Sequence, residues 1–308
     1  MLATVVALAN GRGRSPPFLG KAALMKRILL VLATMAAAVL LVTGMASAIT
    51  YGQPDGNLHP YVGTPVYTDE ESGEFLGIGC TGTLIAPDVF VSAAHCTPTL
   101  GQLEQDGVAL RGVQFDNVYD PGTSEVYPGT PHVHPDWTDP RLAFNNSFFG
   151  VGAHGNDVAV IVLDDPVAGI QPASLPSAGL LDQLAQDGEL KDQRFTVVGY
   201  GTTEFTHEPG SGRPVLGESG TRRYAVSSFS ALNPGWLRLS INPSTGDSGA
   251  CYGDSGGPNF LGAGDSETDV VASVGGLKAD WRCRARQQAY RLDTPSAREF
   301  LGKYVTLP

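Results

Sequence analysis

The chain is 308 residues long, with 39 glycines, 22 prolines, 42% hydrophobic and 17% charged residues, and a formal net charge of −11. Such a composition fits a loop-rich, strand-rich globular protein of one or two domains with a sizeable core. The acidity argues against a nucleic-acid partner, whose phosphates are met by clustered Lys and Arg, and it favours solubility.

Residues 1–48 stand apart, with five basic residues, no acidic one, and an apolar run from Ile28 to Val42. Lys26 and Arg27 form a positive n-region, and Ala46-Ser47-Ala48 supplies the small-x-small pattern that signal peptidase reads. The expectation is a signal segment over 1–48 (25–48 if translation starts at Met25), cleaved before Ile49, with no stable membrane association afterwards. An uncleaved anchor is the alternative, since Ile28 to Ala48 is just long enough to span, but nothing basic follows Ala48 to stop transfer. Without that segment 15 basic residues face 31 acidic ones, a formal charge of −16. Four cysteines, Cys80, Cys96, Cys251 and Cys283, suit two disulfides in an exported chain, and three pairings are open. Zinc is the weaker reading, because no C-x-x-C pair occurs.

Short strands are expected at Thr83–Ile85, Val89–Ser92, Val158–Leu163, Phe195–Val198, Tyr224–Phe229, Trp236–Ile241, Val270–Val274 and Ala289–Leu292, separated by Gly, Pro, Asn and Asp clusters. This pattern reads as barrels or sandwiches rather than alternating βαβ units. Helices are expected at Ser177–Gln186 and after the Thr294 cap with Pro295 at the first position. Residues 137–155, rich in Asn, Gly and Phe, read as a long surface loop. Acidic stretches such as Asp69-Glu70-Glu71 read as a solvated face rather than a calcium site.

The stretch Cys251-Tyr252-Gly253-Asp254-Ser255-Gly256-Gly257-Pro258 sets one serine among glycines. A serine hydroxyl is a poor nucleophile until a base takes its proton and N–H donors receive the oxyanion. Gly253 to Gly257 also fits the G-x-S-x-G elbow of α/β-hydrolases, but that order needs a histidine after the serine, and the last of the six histidines is His207. An Asp-His-Ser order on an α/β scaffold fails on the strand pattern. The order His, Asp, Ser remains.

Val91-Ser92-Ala93-Ala94-His95-Cys96 and Gly155-Asn156-Asp157-Val158-Ala159-Val160 supply the partners. With the serine stretch, they resemble the three signatures of the chymotrypsin/trypsin-like serine proteases over about residues 49–308. The resemblance implies an all-β fold of two antiparallel six-stranded β-barrels, over 49–165 and 166–308, with a short C-terminal helix. It implies a secreted serine endopeptidase acting on protein or peptide substrates without a cofactor. The residues it carries over are His95, Asp157 and Ser255 as the triad, and the N–H groups of Gly253 and Ser255 as oxyanion donors. It also implies the pairings Cys80–Cys96 and Cys251–Cys283. Asp254 would pair with the free amino group of Ile49, although Ile49-Thr50-Tyr51-Gly52 matches the family's Ile-Val-Gly-Gly only at its first and fourth positions.

Ser273-Val274-Gly275 resembles the strand that pairs with substrate, with Val274 in place of the usual tryptophan. Gly249 stands where tryptic members place an aspartate, followed by Ala250, so the resemblance implies a neutral pocket. Gln288 and Tyr252 are expected to narrow it, and a two-residue insertion would bring Asp247 to its floor. His132 and His134 are expected to be structural. The rival readings are a non-catalytic binding protein on the same fold and a narrow esterase or regulatory protease.

Overall fold

The computed structural model describes residues 49, 51–97, 107–137, 155–203, 206–207, 210, 214–215, 220–278 and 282–308. The expected signal segment and most of the 137–155 loop lie outside them. No helix of the described residues is long and apolar enough to cross a membrane.

The described strands run in chain order as β1 (Gln53–Pro54), β2 (Val62–Asp69), β3 (Phe75–Ile78), β4 (Gly82–Ala86), β5 (Val89–Ser92), β6 (Val108–Gln114), β7 (Gly129–Val133), β8 (Ala159–Leu163) and β9 (Arg194–Gly199). After them come β10 (Thr206–His207), β11 (Pro214–Val215), β12 (Arg223–Leu232), β13 (Trp236–Ser240), β14 (Pro258–Leu261), β15 (Val271–Lys278) and β16 (Arg286–Arg291). In the second half, β9-β12-β13-β16-β15-β14 closes back on β9, an antiparallel barrel of six strands. In the first half, β3-β2-β4-β5-β8-β7 curls with β6 on β2, and only the bridge Val113–Tyr127 joins β6 towards β7. That side is a curled half-barrel, which with the closed barrel beside it gives the expected two-barrel fold, and Pro128 and Pro131 deprive it of N–H donors for a longer ladder. β1 pairs with β12, Gln53 opposite Tyr224 and Pro54 opposite Arg223, so the first described strand lies on the second barrel.

The apolar runs are buried on both faces, which explains why they do not alternate with polar residues. In β8, Val160 faces a core shared by both sheets, while Ile161 and Leu163 fill the first sheet's interior with Leu84, Phe90 and Phe115. In β9, Val198 joins the shared core, and Phe195 and Val197 pack inside the second barrel with Leu237 and Leu239. Helix α1 (Leu180–Gln186) starts later than expected, at the left-handed Gly179. Helix α2 (Pro295–Leu301) is capped by Thr294 Oγ1, which accepts from Ala297 N, and it sends Ala297, Phe300 and Leu301 into the shared core. Both disulfides form as the resemblance implied, Cys80–Cys96 with Cα atoms 6.1 Å apart and Cys251–Cys283 at 5.4 Å.

Candidate active site

His95 sits in a one-turn 3-10 helix, Ala94–Cys96, that follows β5. Asp157 lies just before β8, the strand paired with β5, so the ladder that sets Ser92 opposite Ala159 brings the two together. Its Oδ2 is 2.8 Å from His95 Nδ1, and its Oδ1 accepts the His95 backbone N–H at 3.1 Å. The carboxylate therefore fixes both the ring and the backbone of one residue. The His95 side chain is 25% exposed and that of Asp157 6%, and His95 Nε2 has no hydrogen-bond partner among the described residues.

Ser255 arrives from the other barrel on the turn before β14. Gly253 and Gly256 take φ of 92° and 79°, values that side chains resist. The N–H groups of Gly253 and Ser255 donate to no carbonyl among the described residues. Thr81 links the loop to the first sheet: its N–H donates to Ser255 O at 2.8 Å, and its Oγ1 donates to Gly253 O at 3.0 Å while accepting Tyr200 N at 3.1 Å. The Cys80–Cys96 disulfide is a shared neighbour. A His95 ring nitrogen lies within 4.8 Å of both sulfurs, and Ser255 O lies 3.5 Å from Cys96 Sγ. Because both sulfurs are in the disulfide, this trio offers no thiolate to a metal. Ser255 Oγ makes no hydrogen bond among the described residues, so hydroxyl and imidazole are not joined here.

Asp254 is 1% exposed. Its carboxylate accepts Gly201 N and Cys251 N, each at 2.7 Å, and a Cβ on Gly199 or Gly201 would run into it. The G-x-G of Gly199-Tyr200-Gly201 is thus a cradle for Asp254, a sign that was readable in the sequence. Ile49 is fully buried.

The residues expected to pair with substrate are already engaged within the protein. Ser273 and Val274 are fully buried, and Gly275 spends its N–H on Gly257 O at 2.7 Å and its C=O on Gly256 N at 2.6 Å. The tripeptide anchors the serine loop instead of offering a free edge, and β15 runs on through Gly276, Leu277 and Lys278.

Gly249 is buried against Ile241 and Ser227, and Ala250 N donates to Gln287 Oε1 at 2.8 Å. Gln288 is 5% exposed and sits opposite Arg238. Tyr252 is exposed and lines a small cleft with Ile78, Gly79, Tyr200 and Thr202 beside Gly253. Asp247 is engaged: it accepts from Ser228 Oγ at 2.6 Å and Thr245 Oγ1 at 2.8 Å. Burial alone would raise its pKa, but those hydroxyls bring it below the ordinary carboxylate value.

His132 packs on Tyr304 and His134 on Phe300. The sequence reading passed over Asn156, Tyr290 and Ser296, which converge behind Asp157: Tyr290 OH and Ser296 Oγ both donate to Asn156 Oδ1.

A model of the family Trypsin matches residues 53–288, and the chain belongs to that family. A trypsin from Saccharopolyspora erythraea is 27% identical over 214 residues, covering 67% of this chain and 79% of that protein. Chymotrypsin-like elastase family member 3B from Homo sapiens is 34% identical over 116 residues, covering 36% of this chain and 37% of its own length. The atomic resolution structure of HBP aligns with a TM-score of 0.53 at 16% identity, over 84% of this chain and 98% of that one, a likeness of fold.

Proposed function

We propose that the chain is an exported serine endopeptidase working through His95, Asp157 and Ser255. The observation that carries this reading is the half-occupied imidazole. Asp157 holds His95 Nδ1 at 2.8 Å, while Nε2 is left without a partner among the described residues, in the region where the glycine-rich turn presents Ser255. In the reaction, Ser255 Oγ attacks the peptide carbonyl as Nε2 takes its proton, and the imidazolium returns that proton to the leaving amine. Water then enters, gives a proton to Nε2 and attacks the acyl ester, which frees the acid and returns the proton to Ser255. Asp157 keeps the N–H on Nδ1 and stabilises the charged ring. The N–H groups of Gly253 and Ser255 receive the oxyanion, each worth about 3–4 kcal/mol in such sites. Apo hydrogen bonds of this kind tighten on substrate binding, which suits the unjoined hydroxyl.

Substrate would pair with Gly276–Lys278, the continuation of the strand whose earlier residues anchor the serine loop. The S1 pocket would be neutral, because Gly249, Ala250 and Gln288 carry no charge and Asp247 is engaged by Ser228 and Thr245. A peptide library should give cleavage after uncharged residues, and a profile dominated by Arg would overturn this. Cleavage before Ile49 would release the amino group that pairs with Asp254, so an extended or acylated amino terminus should lose most activity.

The decisive experiment is fluorophosphonate labelling of the purified mature chain, with Ser255→Ala as control and the terminal residue read by mass spectrometry. Labelling of the wild type alone, on a chain starting at Ile49, is the expected result. A correctly processed, folded chain that takes no label would favour a latent or purely binding protein, the reading that the unjoined hydroxyl and imidazole would then support.

A further inference from the structure

Asp157 owes its place to the residue before it. Asn156 has φ of 70°, left-handed backbone that asparagine tolerates better than other side-chain-bearing residues, and its C=O accepts Val158 N at 2.8 Å. That tight turn sets the peptide leading into Asp157. The Asn156 side chain is held from the other half of the molecule: Oδ1 accepts Tyr290 OH of β16 at 2.9 Å and Ser296 Oγ of α2 at 2.7 Å.

The direction of these bonds can be worked out. An amide oxygen only accepts, so Ser296 gives its one proton to Asn156. His134 Nε2, which lies 3.1 Å from that oxygen and 3.3 Å from the Ser296 carbonyl oxygen, is then the donor towards both acceptors. His134 Nδ1 accepts Asp136 N at 3.2 Å, which fixes the ring as neutral with its proton on Nε2. Burial, which holds the His134 pKa below its ordinary value, agrees with that form. Tyr290 is buried and packs edge-on against Trp236, so its hydroxyl has little freedom. Its phenol lies above the ordinary value, through burial first and the nearby Asp157 charge as well. Every bond in the chain His134→Ser296→Asn156←Tyr290 thus has a donor and an acceptor.

We propose that Asn156 is a positioning residue for the Asp157–His95 pair, clamped by Tyr290 and Ser296 so that the half carrying the carboxylate and imidazole is registered against the half carrying Ser255. This rests on the catalytic reading of His95, Asp157 and Ser255. Asn156 touches no substrate. It acts by fixing where the Asp157 carboxylate meets Nδ1, and loose placement of a catalytic group costs rate even when binding is unchanged.

The test uses the full mature protein in three variants. Asn156→Gly keeps the left-handed backbone and removes the acceptor, Tyr290→Phe removes one oxygen, and Asn156→Asp keeps an acceptor for both hydroxyls. For Asn156→Gly, kcat should fall about 10- to 100-fold with KM within about twofold, and the low-field proton resonance of His95 Nδ1–H should broaden or vanish in a chain that still melts cooperatively. Tyr290→Phe should show the same changes more weakly. Asn156→Asp should recover kcat relative to Asn156→Gly, and should move the acid limb of kcat/KM to higher pH because a second carboxylate then stabilises the charged imidazole. Unchanged kcat and an unchanged resonance in Asn156→Gly and Tyr290→Phe would overturn the proposal. If the wild type neither hydrolyses peptides nor takes the fluorophosphonate, the catalytic reading fails by itself. The resonance then decides the positioning role alone, its loss supporting the role and its persistence overturning it.

Discussion

Two histidines in this chain each face a carboxylate, and they are bonded in opposite ways. His95 gives Nδ1 to Asp157 and keeps Nε2 open, with a quarter of its side chain exposed. His59 is 3% exposed, with Nδ1 2.5 Å from Asp55 and Nε2 2.6 Å from Glu267. Carboxylates in the ionised form only accept, so His59 satisfies both by carrying both protons. Arg222, fully buried, holds the other oxygen of Asp55 at 2.9 Å, Thr196 donates to Glu267, and the His59 ring stacks on Phe260 at 5.4 Å. An imidazole with two anionic partners is a fastener. One with a single partner and an open nitrogen is free to move a proton.

The sharpest break between the two would come at the open site. Ser255→Ala should lower kcat about 10⁶-fold and Asp157→Asn about 10⁴-fold, with unfolding midpoints near wild type. Peptide or ester hydrolysis checks both, and a loss of less than tenfold in either would remove the distinction. His59→Ala should do the reverse, costing about 3–5 kcal/mol of stability because Glu267 loses its cationic partner and the buried Asp55 keeps only Arg222, while kcat per folded molecule changes little. Denaturant titration measures it, and a cost below about 1 kcal/mol would show the fastener to be idle. Glu267→Gln, at the half-buried end, should cost less, about 1–2 kcal/mol.

pH separates the sites more gently. Burial alone would push His59 down, but the hydrogen bonds to Asp55 and Glu267 outweigh it and leave its pKa above the ordinary 6.5. Its contribution is therefore complete below 6.5 and is lost as pH rises through the raised value. Asp55 and Glu267 are opposed by burial in the same way, yet end below 3.8 and 4.5 because His59, with Arg222 or Thr196, hydrogen-bonds them. Their contribution is complete above those values and is lost as pH falls through the lowered ones. The cluster should thus stabilise most between 4.5 and 6.5. Midpoints measured across pH should show a decline on the alkaline side that shrinks in His59→Ala, and an identical alkaline slope in both proteins would count against it.

The sequence made the open site legible and hid the closed one. His95, Asp157 and Ser255 sit in short motifs whose order excluded one other arrangement, while the strand pattern excluded a second. His59 is part of His59-Pro60-Tyr61, which reads as a turn, and its partners lie 4 and 208 residues away. The strands called from apolar runs fall at or near those expected, with ends shifted by one or a few residues. β2 was not called because Gly63 and Pro65 interrupt it. The structure admits the proline because at that position β2 pairs only with β6, its contacts with β4 ending at Gly63 and those with β3 starting at Val66. The engagement of Gly275 by the serine loop was hidden for a similar reason, since spelling shows which residues could pair with a peptide but not which are already paired.

Arg222 also bears on how the chain comes together in time. Its guanidinium holds Asp55, 167 residues earlier, and the carbonyl oxygens of Val62 and Phe115, while β1 lies beside β12. The stretch from Gln53 to Val62 cannot reach its resting place until the chain beyond Arg222 has been made. Pairings so distant in sequence are slow to form. During synthesis, the first part of the body to emerge is therefore among the last to lock, and a fusion placed ahead of it would burden the final step of folding rather than the first.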